Sequence, residues 1–262
     1  MGTLWNTFAF YVLYANIDNF DPTKYSFLDC KLTVMDKWLI SKLNSMVKAV
    51  DENLNNYKIP EAAKALQNFV DEMSNWYVRR NRERYWVQSM TEDKITAYMV
   101  LYKALVTTAK AAAPMIPFMA ESIYQNLVRS VDKSAPESIH LCEFPEYDIS
   151  AIDEKLEQDM ETVLEIVVLG RAARNGAVLK NRQPLNRMFI SSSKKLSEYF
   201  TDIIKDELNI KNVVFTDEVD GFVNYTFKPQ LKTVGPKFGR QLNDIRAALS
   251  SLNGTAAKEE LD

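Results

Sequence analysis

One histidine, His140, and two cysteines, Cys30 and Cys142, occur among the 262 residues of this chain. Two isolated thiols build no disulfide framework and cannot supply a zinc cluster, which takes four Cys or His ligands. With a single imidazole, no Gly-rich phosphate loop and neither a G-x-S-x-G nor an H-E-x-x-H pattern, the usual nucleophile, base and metal arrangements are missing. No catalytic and no metal-binding residue is therefore expected. Long charge-free apolar runs are absent too. The longest apolar stretch, residues 95–120, is interrupted by Lys103, Lys110, Pro114 and Pro117, so it cannot cross a bilayer as about 20 uninterrupted apolar residues would. The opening Met1-Gly2-Thr3-Leu4-Trp5-Asn6 has no basic n-region and puts Asn where a myristoylation signal needs Ser or Thr. A reducing cytoplasm, away from any membrane, is the expected setting.

What is present is a globular composition, 47% hydrophobic and 26% charged, with 32 basic against 35 acidic side chains. The formal net charge of -3 conceals a strong polarity along the chain. Residues 143–165 hold nine acids and one base, a balance of -8, and residues 166–197 hold seven bases and no acid, a balance of +7. A second acid-free window, residues 221–243, carries Lys228, Lys232, Lys237 and Arg240. Adjacent single-sign windows suit local attraction of a polyanion; two solvated helix ends would also produce them.

The first half reads as helices. Residues 4–17 are apolar on most sides and open without a cap, as though the chain continued upstream. Thr33 with Asp36 forms a capping-box pattern ahead of Val34, Trp38, Ile40, Leu43, Val47, Val50 and Leu54 at helical spacing. Pro60 suits the first turn of a third helix with the stripe Ala62, Leu66, Phe69, Val70, Met73 and Tyr77. Thr91 begins a fourth helix ending before Pro114, and Pro117 begins a fifth reaching about Val131. Short connections argue for antiparallel neighbours.

A change of character follows at residues 134–148, where the run 139–144 reads as a buried strand with His140 as a core imidazole and Cys142 as a small buried hydrophobe. A long helix over 152–176 comes next, then apolar segments at 188–191, 213–216 and 222–227, a helix over 196–208, a turn at 235–239 and a last helix over 241–252. The expected fold is mainly α: an antiparallel helical bundle over residues 1–148, followed over 149–262 by the long helix and a small α/β or α+β unit.

The densest chemistry lies in Asn75-Trp76-Tyr77-Val78-Arg79-Arg80-Asn81-Arg82-Glu83-Arg84-Tyr85-Trp86. At 100° per residue Arg80 and Arg84 continue the stripe of Phe69, Met73 and Tyr77, a face buried one turn earlier. A guanidinium there must meet a carboxylate or a phosphate. Arginines interleaved with aromatics also compose RNA-contacting surfaces, where rings stack on bases.

From this segment outward, the chain resembles the anticodon-binding and C-terminal region of isoleucyl-tRNA synthetases, a class I family. The resemblance runs through Leu4-Trp5-Asn6-Thr7, Asp36-Lys37-Trp38-Leu39-Ile40-Ser41-Lys42-Leu43-Asn44, Ser74-Asn75-Trp76-Tyr77-Val78-Arg79-Arg80, Pro117-Phe118-Met119-Ala120-Glu121, Ser138-Ile139-His140-Leu141, Leu179-Lys180-Asn181-Arg182-Gln183-Pro184-Leu185 and Val234-Gly235-Pro236-Lys237-Phe238-Gly239. It implies a fragment of a larger enzyme: the HIGH and KMSKS signatures of the ATP-binding catalytic domain, the editing domain and a terminal cysteine zinc site have no counterpart here. ATP and Mg are then expected at a catalytic domain outside this chain, with no cofactor in the chain itself.

The implied partners are isoleucine tRNA and the missing catalytic and editing domains. Implied RNA contacts are Trp76, Arg79, Arg80, Arg82, Arg84, Tyr85 and Trp86 on the arginine segment, Arg171, Arg174, Lys180, Arg182 and Gln183 around the loop after the long helix, and Lys237 and Arg240 beyond. Arg171 and Arg174 carry less weight than the loop residues, because cations are favoured near any helix C-terminus. A helical module docking on protein, without touching RNA, is the alternative reading of the same basic windows.

Overall fold

The computed structural model describes residues 2–192, 195–216 and 227–252. It divides into two compact units, Met1–Glu161 and Thr162–Asp262.

In the first unit, α1 (Gly2–Asp18) buries Leu4, Phe8 and Tyr11. Helix α2 (Val34–Asn55) opens with the expected capping box, Thr33 accepting from the Asp36 amide while the Asp36 carboxylate accepts from the Thr33 amide. Helix α3 (Ile59–Glu72) has Pro60 in its first turn and buries Ala62, Leu66, Phe69 and Val70. It runs into a π-helical turn, Met73–Val78, and α4 (Arg82–Trp86) follows after a break at Asn81. Helix α5 (Glu92–Ala112), capped by Thr91, is buried on nearly every side. Its alanines 97, 104, 109, 111 and 112 let neighbours approach closely, and it touches α1, α2, α3, α4 and α6 (Pro117–Tyr124). An all-round apolar helix belongs in the middle of a bundle. Helix α6 continues through a second π-helical turn, Gln125–Arg129.

The expected strand at 139–144 is instead a short 3-10 turn, Ile139–Leu141, with the Ser138 hydroxyl accepting from the His140 amide. Glu121 of α6 takes the Ser138 hydroxyl and the Ile139 amide, so these donors are satisfied without a sheet partner. His140 is exposed and Cys142 half-buried, so neither is the core residue its apolar neighbours suggested.

Helix α7 (Glu154–Gly176) begins against α2: Glu157 accepts from the hydroxyls of Ser41 and Ser45, and the Asp153 amide donates to Ser41 Oγ at 2.8 Å. Part of the acidic window is thereby engaged with hydroxyls rather than solvated. These contacts belong to the first unit, which ends at Glu161 inside the helix.

In the second unit, β1 (Leu185–Ile190), α8 (Glu198–Leu208) and β2 (Ile210–Phe215) form a parallel βαβ unit in register from Leu185 opposite Ile210 to Ile190 opposite Phe215. Phe200, Ile203, Ile204 and Leu208 are the buried face of α8. Gly170 of α7 lies so close to Leu208 that an added Cβ would sit 2.4 Å from a Leu208 methyl. The expected strand at 222–227 falls outside the described residues apart from Phe227. The expected turn at 235–239 is different: α9 (Leu231–Phe238) runs through Pro236, and a 3-10 turn, Gly239–Gln241, leads into α10 (Leu242–Ser251). Neither Gly235 nor Gly239 adopts the positive φ that a glycine turn would use.

Thr33 both caps α2 and donates to Asp36 Oδ2 at 2.7 Å. Thr33→Ala should lower unfolding free energy by about 1 kcal/mol in urea titrations, with Thr33→Ser retaining most of it.

Candidate nucleic-acid interface

The arginine segment is organised by one carboxylate. Asp36 Oδ1 accepts from the Tyr77 hydroxyl at 2.6 Å and from Arg84 Nη1 at 2.8 Å. Its Oδ2 accepts from Arg84 Nη2 at 3.1 Å, from the Thr33 hydroxyl and from the Thr33 amide. Arg84 extends further to Asp93, with Nη2 2.8 Å from Oδ1 and Nε 3.0 Å from Oδ2. Burial alone would raise the Asp36 carboxyl, but hydrogen bonding and charge from Arg84, with further bonds from Tyr77 and Thr33, hold it below the usual carboxylate value. Burial pushes the Tyr77 phenol well up.

The arginine on the buried face thus meets a carboxylate, not a phosphate. Tyr85, expected as a stacking platform, is 1% exposed; its hydroxyl donates to the Ala97 carbonyl at 2.9 Å and its ring meets Tyr98 edge-on at 5.0 Å. Both side chains are used inside the bundle. The π-helical turn and the break at Asn81 end the uniform 100° progression, and α4 resumes with Tyr85 inward and Trp86 outward. Trp86 is 56% exposed and its indole donates to the Tyr14 hydroxyl at 2.7 Å. Arg82 is exposed, Arg80 half-buried, and Arg79 lies with its guanidinium 5.4 Å from the Trp76 ring centroid while Nε donates to the Asn75 carbonyl. The outward face of this segment therefore holds Arg79, Arg82 and Trp86, with Trp76 half-buried beside Arg79. Tyr14 was not foreseen, since a tyrosine in an apolar helix carries no signal of a distant indole.

In the second unit the basic window separates into three kinds of cation. Arg171 is paired with Glu207 at 2.7 Å. Arg174 is only 3% exposed and donates to backbone carbonyls. Lys180, Arg182 and Gln183 are exposed on the loop between α7 and β1, and among the described residues their side chains have no hydrogen bond or ion pair. Arg187 of β1, counted in the window but not singled out, lies 5.8 Å from the Phe189 ring centroid. Lys237 of α9 and Arg240 after it are exposed.

Residues 36–190 match the family described as the anticodon-binding domain of tRNA ligase. The chain is 54% identical over 253 residues to the isoleucine–tRNA ligase of Clostridium novyi, covering 97% of this chain and 24% of that protein. It is 53% identical to the isoleucine–tRNA ligase of Clostridium kluyveri over the same shares, and 41% identical over 258 residues to isoleucine–tRNA ligase 2 of Bacillus cereus. The chain spans about a quarter of the length of these relatives.

The Asp36 cluster sets an acid limit on stability. A carboxyl whose folded pKa lies below its unfolded value contributes stability that is complete above about pH 4 and is lost as pH falls through the folded pKa. Asp36→Asn should remove that component of acid sensitivity and, by leaving Arg84 short of a buried partner, lower unfolding free energy by about 3 kcal/mol. Urea titrations from pH 2 to 7 on both proteins provide the check.

Proposed function

Because the chain belongs to the anticodon-binding domain family of tRNA ligases, we propose that it grips the anticodon arm of isoleucine tRNA as part of an isoleucine–tRNA ligase. The observation that carries this reading is the loop after α7. In a window without acids, Lys180 and Arg182 point outward with no internal partner among the described residues. Outward cations on an ordered loop suit the phosphate backbone, which dominates affinity for nucleic acid. The exposed Trp86, beside Arg82, suits an unstacked base. Other expected RNA contacts in this reading are Trp76, Arg79, Arg80, Gln183, Lys237 and Arg240. Arg84, Tyr85, Arg171 and Arg174 have internal partners that account for them without RNA. The protein-docking alternative is not favoured by the family match.

The parent enzyme's ATP-dependent aminoacylation, with ATP and Mg, belongs in this reading to a catalytic domain beyond the chain, and editing to a further one. No helix among the described residues is long and apolar enough to cross a membrane; a cytoplasmic setting is part of this proposal.

Filter binding should show isoleucine tRNA preferred over the same tRNA with an exchanged anticodon, and affinity falling steeply with salt; equal, undetectable binding of both would end the proposal. Arg182→Ala should cost about 1–3 kcal/mol of binding and reduce the salt slope by about one unit. Its thermal midpoint should match the parent's, since the side chain has no internal bond to lose among the described residues. Isoleucine-dependent pyrophosphate exchange by the chain alone should stay at background, and activity surviving repurification would contradict the assignment of adenylate chemistry elsewhere.

A further inference from the structure

The loop that carries Lys180 and Arg182 is held from beneath by its own carbonyl groups. Arg174 of α7 donates to the Lys180 carbonyl at 3.0 Å and to the Gln183 carbonyl at 3.1 Å. Asn209 Nδ2 donates to the carbonyls between them, those of Asn181 at 3.3 Å and Arg182 at 3.0 Å. All four consecutive carbonyls of residues 180–183 are thus taken by two side chains. With the carbonyls engaged by the body of the unit, the side chains of Lys180, Arg182 and Gln183 stand exposed.

Both holders are themselves fixed. Arg174 also donates to the carbonyls of Leu208 at 2.5 Å and Asn209 at 3.3 Å, at the C-terminal end of α8. That end carries partial negative charge, which offsets part of the expense of burying a guanidinium with no carboxylate partner among the described residues. Asn209 closes α8 in the left-handed conformation at φ 51°, a position that asparagine and glycine tolerate, and its own carbonyl accepts from the Leu185 amide. An apolar residue at 174 would pack at less expense, but it would leave the Gln183 carbonyl without its donor and the Lys180 carbonyl with the Gln183 amide alone.

We propose that Arg174 and Asn209 are positioning residues for tRNA binding, acting through the carbonyls of residues 180–183 to hold the Lys180 and Arg182 side chains in one outward arrangement for backbone phosphates. The inference rests on the tRNA-binding reading above. An ordered loop loses less freedom on binding than a mobile one, so the clamp acts on affinity without touching RNA.

The test is a double-mutant cycle on the 262-residue chain with isoleucine tRNA at low salt. Asn209→Gly keeps the left-handed cap and removes both donors to the loop. It should weaken binding about fivefold in the parent and less than about twofold in a Lys180→Ala/Arg182→Ala background, where no loop cation remains to be positioned. Trypsin cleavage after Lys180 and Arg182 should become about tenfold faster, with an unchanged urea midpoint, as local loosening without global destabilisation predicts. Arg174→Lys, whose single ammonium cannot span the carbonyls, should repeat the same non-additivity. Equal losses on both backgrounds, or an unchanged cleavage rate, would overturn the inference while leaving the tRNA reading intact. A parent chain that binds no tRNA would overturn both.

Discussion

The Asp36 carboxylate joins parts of the first unit that lie far apart in sequence. It caps α2 through Thr33, receives the Tyr77 hydroxyl from the π-helical turn and holds the Arg84 guanidinium from α4, which in turn reaches Asp93 in the first turn of α5. Placing charges out of water is expensive, and a hydrophobic cluster of equal volume could match such a pair in stability. What the pair supplies is direction. With Arg84 tied down and Tyr85 buried against α5, Arg82 and Trp86 on the same short helix have nowhere to go but outward. The candidate RNA-facing surface is in this sense the reverse side of a buried salt bridge.

A second buried cation, Arg174, organises the other unit on a different chemical basis. It takes carbonyl dipoles of the loop and of the α8 C-terminal end, and among the described residues it has no carboxylate partner. Arg84, Arg174 and Arg182 are thus one residue type in three roles: paired with carboxylates, spanning backbone carbonyls, and outward on a loop. A charge count weights them equally. Of the seven bases in that window, Arg171 is paired with Glu207 and Arg174 is buried, so the field presented to a polyanion is weaker and more localised than the count of +7 implies. In the acidic window, Glu157 keeps its charge but is held against α2 by the hydroxyls of Ser41 and Ser45.

Local chemistry determined much of this from sequence alone. The capping box at Thr33 and Asp36, the N-cap Thr91, Pro60 and Pro117 in first turns and the long helix ending at Gly176 are decided within four residues of themselves, and all are found where the pattern put them. So was the mainly helical class, because a 3.6-residue apolar period survives whatever the helices pack against. The outward loop at 180–183 was legible too, since Pro184 and the end of α7 free it from helix packing. Hidden at this level were the two π-helical turns, whose single extra residue shifts a stripe without altering composition. Hidden as well was the 3-10 turn at Ile139–Leu141, where an apolar run read as a strand.

The tertiary structure alone decided which polar groups meet. Nothing near Arg84 in sequence says that its carboxylate lies 48 residues earlier, and nothing near Asn209 says that its amide holds a loop 27 and 28 residues before it. Sequence fixes what a side chain can do, a demand such as a guanidinium's need for an acceptor. Which acceptor answers depends on the packing of whole helices, whose free energy is gathered over many apolar contacts and resides in no single motif. The sequence therefore determined the helices, their caps and the presence of unsatisfied cations. Packing determined that Arg84 and Arg174 turn inward while Arg182 faces out.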